Sequence, residues 1–238
     1  MTALRKTALV AGVLYLITFI AIGTLAFYGP VLTDSSYILR SGSDTGLGWG
    51  VLLEVIVALA GIGTAVTLFP VVKRQNEAFA LGFVTSRVLE AAMIFTGVVS
   101  LLSLMTLHQD LGAAAEADAG SLVTAGASLV ATYNAAFLLG QTLMPAMNAV
   151  LLGYLMYRSR LVPRLIPTLA LIGGPLMISS VIGQMIGIND KVSLWSGIAL
   201  VPIFTWELSL GLWMAIKGFN LAAPILAPKP AESGNPGA

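Results

Sequence analysis

The chain has no cysteine, which removes disulfides, thiolate metal sites and cysteine nucleophiles from consideration while leaving the compartment undecided. Histidine is nearly as scarce. His108 is alone in 238 residues, so no second imidazole can share a metal with it, and it is expected simply to occupy a helix end at the membrane interface. Charge is the third shortage. Only 10% of the residues are charged, against about 25% in a soluble domain. Enzymatic signatures are missing as well: there is no Gly-x-Ser-x-Gly elbow, phosphate loop or dinucleotide fingerprint. No metal, cofactor or nucleic acid is expected, and the net charge of +1 points to no partner.

What the sequence has is long apolar runs, with hydrophobic residues at 57%. A bilayer crossing takes about 20 such residues in a helix, and the runs divide into six spans, at residues 7–28, 49–72, 78–107, 132–157, 167–187 and 194–216. The first follows Arg5 and Lys6 but exceeds the apolar core of a signal peptide, so it reads as a retained helix ended by Pro30. The stretch 121–157 is too long for one span and barely long enough for two. Charge decides for one, because only then do Arg158, Arg160 and Arg164 fall on the same side as Lys73 and Arg74. Residues 121–131 are then a helical extension or a separate interfacial helix.

This path puts nine of twelve Lys and Arg on one side, two (Arg40 and Lys191) on the other, and Arg87 within the membrane. The positive-inside rule makes the nine-residue side cytoplasmic, with both termini there. The expected fold is an all-α, polytopic six-helix transmembrane bundle over residues 1–221, followed by a disordered Pro/Ala/Gly-rich cytoplasmic tail over 222–238. Two sets of three spans in opposite orientation also match the layout of inverted-repeat transporters, although no internal sequence similarity accompanies it.

Arg87 and Glu90 place two full charges in the third span, three residues apart on one helix face. A charge at bilayer depth costs at least about 3 kcal/mol, so other helices must supply partners. At about 1.5 Å of rise per residue, Glu207 comes out near the depth of Arg87. Gln141 and Asn148 flank that pair, while Glu90 and Glu54 lie further from the basic side. Three carboxylates around one arginine leave negative charge in excess, and charge balance asks that at least one carry a proton. Such a centre is either a proton relay or a static network that fixes packing. Pro145, Pro175 and Pro202 interrupt the last three spans. Each frees a carbonyl four residues earlier, which can line a cavity or be satisfied by neighbouring helices.

Several stretches together resemble the bacterial membrane-protein family called domain of unknown function 4386. They are Tyr133-Asn134, Gln141 to Asn148 and the Tyr157-Arg-Ser-Arg-Leu-Val-Pro-Arg164 run. Arg87 to Ala91, and Trp206-Glu207 through Asn220, also agree. The resemblance implies a multi-helix protein of the bacterial inner membrane and supplies no activity, ligand or catalytic residue.

Function is therefore read from the polar centre. The first reading is a small carrier, or a subunit of one, that handles a proton or small polar solute. The second is a non-catalytic accessory or sensor protein, and the third an intramembrane enzyme using Glu90 or Glu207 as general acid/base.

Overall fold

In lipid every backbone N–H and C=O must be satisfied within its own segment, which leaves helices as the solution for isolated apolar runs. The computed structural model describes residues 1–34, 37–39, 42–111 and 119–227, and those residues contain helices and no strand. The helices are α1 (Ala3–Thr18), α2 (Ile20–Thr33), α3 (Thr45–Val72), α4 (Glu77–Leu111), α5 (Ala119–Phe137), α6 (Met144–Ser159), α7 (Leu165–Met185) and α8 (Leu194–Ile216). A π-helical segment, Leu138–Leu143, joins α5 to α6. By length and composition six helical runs can cross a membrane, with α1–α2 forming the first and α5–π–α6 the fourth, a run of 41 residues.

Several boundaries differ from the sequence reading for local reasons. Pro30 does not end the first run, since α2 continues to Thr33; a proline removes one backbone hydrogen bond, which near a helix end is easily tolerated. The run breaks instead at Phe19, between α1 and α2. Residues 121–131 take the first of their two expected forms, a helical extension continuous with the fourth span. The chain after α8 stays ordered past residue 221: Ala223 is buried and Ile225 and Leu226 pack on the core, with a short 3-10 turn at Pro224–Leu226. Arg40, the acidic loop at Glu116 and Asp118, and the tail beyond residue 227 lie outside the described residues.

Packing divides the bundle into two halves. Near the end that carries Arg5, Lys73 and Arg158, the helices form a ring in the order α1, α3, α4, α6, α7, α8 and back to α1. Its core includes Tyr15, Leu68, Phe83, Leu152, Trp206 and Leu210. Small residues draw this ring tight. A Cβ on Gly12 would sit 2.5 Å from Ala215 N and 2.7 Å from Gly211 O, so α1 and α8 touch backbone to backbone there. Gly173 and Gly174 do the same for α7, the first against Ile203 and Pro202 on α8 and the second against Val150 and Ala146 on α6. In the opposite half a second core gathers α2, α3, α4 and α5 around Tyr28, Val57, Ile94 and Tyr133. No residue of α7 or α8 is in it.

Both ends of the bundle are clasped. At the far end Asp44, just before α3, accepts hydrogen bonds from Tyr37 (2.6 Å) and Gln109 (3.2 Å) and pairs with His108 Nδ1 at 2.9 Å. Burial pushes the Asp44 carboxyl up, but these donors outweigh it and hold it below the ordinary carboxylate range. Its contribution is thus present at neutral pH and lost as pH falls through that depressed value. His108 is buried in this clasp, more specifically employed than an interfacial residue. At the basic end Arg5 closes the last turn of α8: Nη1 donates to Met214 O at 2.9 Å and Nη2 to Ala215 O at 2.7 Å and Ile216 O at 2.9 Å.

Those three carbonyls belong to the last turn of a helix, where no further N–H of the helix reaches them. Arg5→Gln should therefore lower stability by about 1–3 kcal/mol, the cost of unsatisfied polar groups. The neighbouring Lys6→Gln, equal in charge change, should have little effect in detergent thermal melts. Equal losses would mean that Arg5 acts only as a surface charge.

Candidate functional site

Arg87 lies where the two halves meet, and it is 2% exposed. Its position ten residues into α4 carries the side chain across toward α1 and α3. There Gly61 leaves room for the guanidinium, with a notional Cβ at 3.8 Å from Nη1. The guanidinium carbon lies 5.1 Å from the Tyr15 ring centroid and 5.9 Å from that of Phe83, within the reach of cation–π attraction. Nη1 donates to both oxygens of Glu90, at 2.9 and 3.2 Å. Asn148 Nδ2 donates to Glu90 Oε2 at 2.6 Å. Glu207 comes from α8 with Oε1 3.6 Å from Arg87 Nη2, an ion pair too long for a hydrogen bond. Arg87 Nε and Nη2, Tyr15 OH and Asn148 Oδ1 are buried without a hydrogen-bond partner among the described residues.

Glu54 is not part of that cluster. It is 1% exposed, and its Oε1 accepts from Tyr28 OH and from Thr24 Oγ1 (3.0 Å). Oε2 accepts from Gln141 Nε2 at 2.9 Å, and Tyr133 OH donates to Tyr28 OH at 2.9 Å. Gln141, which lies in the π segment, thus serves Glu54 on α3 rather than flanking the Arg87–Glu207 pair. Thr24, Tyr28, Tyr133 and Tyr15 were invisible as site residues in the sequence. The four-residue spacing of Thr24 and Tyr28 within an apolar helix was the available signal.

The π segment itself follows from Pro145. With no N–H to bond the Gln141 carbonyl, the preceding turn widens, and Met144 N bonds Leu139 O instead. Gly140 lets the widened turn press on α4, since a Cβ there would collide with Met93 Cβ. Pro145 lines the cavity described next, whereas Pro175 and Pro202 do not line it. Pro175 is exposed on the outer surface and Pro202 packs on Gly173.

Between the second core and the α7–α8 pair lies a cavity of about 460 Å³. Arg87, Glu90 and Glu207 form its polar end; Gln141, Gln184 and Lys191 add polar groups further out. Its walls are apolar, and Ile22 and Leu25 on α2 and Leu200 and Phe204 on α8 both line it and are exposed on the surface. After the break at Phe19, α2 stays with α3 and leaves α8, with the Phe19–Phe204 ring contact at 5.3 Å near the point of parting. The chamber therefore opens sideways between α2 and α8. Lys191, at the turn between α7 and α8, holds its ammonium 4.4 Å from the Phe137 ring centroid, and burial pushes its pKa down. At the polar end of the chamber Glu207 is the most accessible charged group, its side chain being 19% exposed against 11% for Glu90 and 2% for Arg87.

The sequence matches a family model described as domain of unknown function (DUF4386) over residues 10–218. No curated protein and no solved structure matches the chain.

The distances rank the partners of Arg87. Glu90→Ala should be the most damaging single change, at about 3–5 kcal/mol for a broken buried pair, because it strands a guanidinium that cannot lose its proton. Glu207→Ala should cost less, since Glu90 remains bonded. Double-mutant cycles in detergent stability should give a larger coupling for Arg87–Glu90 than for Arg87–Glu207. The reverse order would contradict the geometry.

Proposed function

The chain belongs to the DUF4386 family, whose description names no activity, and from its own geometry we propose that it is a small membrane carrier, or a subunit of one, whose central site handles a proton, alone or with a small polar solute. The observation that carries this reading is the placement of two broken spans. The first is interrupted at Phe19 and the fourth at the π segment, and both breaks line the chamber that contains Arg87. If the six spans are taken as two sets of three, these are the corresponding first members of each set, and the charged helices α4 and α8 are the corresponding third members. Interrupted helices at matching positions around a polar midplane site are the arrangement of inverted-repeat carriers.

On this reading the basic end is cytoplasmic, both termini are inside, and the Lys191 end faces out. Charge balance supports proton handling. Glu90 and Glu207 face the single guanidinium of Arg87, so ionisation of both would leave the centre with one negative charge in excess. The accessory or sensor reading draws on a different observation, the enclosed Glu54–Thr24–Tyr28–Gln141 cluster, in which both carboxylate oxygens are already satisfied by neutral donors. We assign that cluster to packing and the Arg87–Glu207 end of the chamber to function.

Reconstituted into vesicles containing a trapped pH dye, the protein should acidify or alkalinise the lumen when a potassium diffusion potential is imposed. Glu207→Gln should slow that response at least tenfold while leaving the melting temperature within a few degrees of wild type. A wild-type response equal to that of protein-free vesicles would overturn the carrier reading.

A further inference from the structure

A second concavity, of about 680 Å³, lies at the basic end of the bundle, away from the chamber. It is formed by the α6–α7 turn and the end of α8, and Arg160, Arg164 and Lys217 line it. Among the described residues that line it, no carboxylate balances those three cations. The site is also built rather than a chance gathering of flexible side chains. Arg160 ends α6 in the left-handed conformation, with φ 57°. Asn220 ties the two walls together, its N donating to Leu161 O at 2.8 Å and its Nδ2 to Arg160 O at 3.3 Å. Leu161 and Val162 are buried beneath the turn. The Arg164 guanidinium stacks 4.9 Å from the Tyr157 ring centroid, which restricts where it points. Trp213 also lines the groove, and its Nε1 is buried with no hydrogen-bond partner among the described residues.

We infer that this groove binds the phosphodiester headgroup of an anionic phospholipid, with Arg160, Arg164 and Lys217 supplying the countercharge. Arginine pairs with phosphate oxygens through its fork of N–H donors, and basic pockets between membrane helices are a recurrent setting for anionic headgroups. The surroundings select a lipid over a free anion. Leu165 follows Arg164 and Ile216 precedes Lys217, and these two side chains are 75% and 66% exposed. The cations therefore stand beside exposed apolar surface at the end of membrane-spanning helices, the place where a headgroup meets its acyl chains. The inference is independent of the carrier reading, because the groove shares no residue with the chamber.

The test is native mass spectrometry of the full-length protein titrated with phosphatidylglycerol and, separately, with phosphatidylcholine. Phosphatidylglycerol should bind with at least tenfold preference. The triple variant R160N/R164Q/K217Q should lose that preference, asparagine being chosen because it tolerates the left-handed backbone at position 160. The control triple K6Q/K73Q/R74Q removes three cations elsewhere at the same end and should keep it. Trp213→Phe, which removes one N–H and no charge, should weaken phosphatidylglycerol two- to fivefold and leave phosphatidylcholine unchanged. Equal losses in the two triples would overturn the inference, as would displacement of the lipid by equimolar inorganic phosphate or the absence of any lipid preference.

Discussion

A guanidinium in the middle of a membrane bundle cannot escape by giving up its proton, and the packing around the centre of this protein follows from that constraint. Arg87 must be desolvated, countered and enclosed at once. Glu90 counters it from one turn along the same helix, Asn148 holds Glu90 in place from α6, and Tyr15 and Phe83 offer ring faces to the charge. Gly61 keeps α3 from crowding it. The residues that surround Arg87 thus come from α1, α3, α4, α6 and α8, five of the six helices of the closed ring. The cost of an unpaired interior charge, at least about 3 kcal/mol, is sufficient reason for those helices to converge at one depth.

The closed ring explains why the other half can remain open. With α1 fixed between α3 and α8 by the Gly12 contact and by Arg5 on the end of α8, the chain after Phe19 is free to follow α3 alone. The second core then forms from α2 to α5, and the outer parts of α7 and α8 stand apart from it. The turn between those two helices is organised by its own polar contacts, with Asn189 Nδ2 on Ser180 Oγ at 2.9 Å and Ser193 Oγ on Asn189 Oδ1 at 2.6 Å. A chamber between two separately cored parts of one bundle, floored by an ion pair, is a different object from a sealed packing network. It is the space that the two broken spans, at Phe19 and at the π segment, both line.

Much of this was legible in the residues. The spans announced themselves through length and apolarity; spacing allowed Arg87 to pair with Glu90, but depth put Glu207 first among its partners, whereas Glu90 lies at 2.9 Å and Glu207 at 3.6 Å. Azimuth was not legible, so Gln141 was expected beside Arg87 when its bond is to Glu54. The sequence also concealed how the helices break. Phe19 carries no breaker signal, and Pro145 announced a kink without saying that a π turn would absorb it. Arg5 read as a topology charge, and its capping of α8 depends on a tertiary contact that no local pattern encodes. The polar partners Thr24, Tyr28 and Tyr133 looked like ordinary membrane-helix residues because hydroxyls are common there, usually bonded to their own backbone.

A proton or polar solute can reach Arg87 and Glu207 only if the space beside them is wet in the membrane. Thr142 lines the chamber beside Gln141, whereas Thr64 on α3 is fully buried in helix packing. The most direct measurement is the reaction of Thr142→Cys and Thr64→Cys with a small, charged, water-soluble thiol reagent in native membranes. A water-filled chamber predicts rapid modification at 142 and none at 64. No reaction at 142, at any reagent concentration that labels an exposed loop cysteine, would mean that the charged centre is sealed from water and serves packing alone.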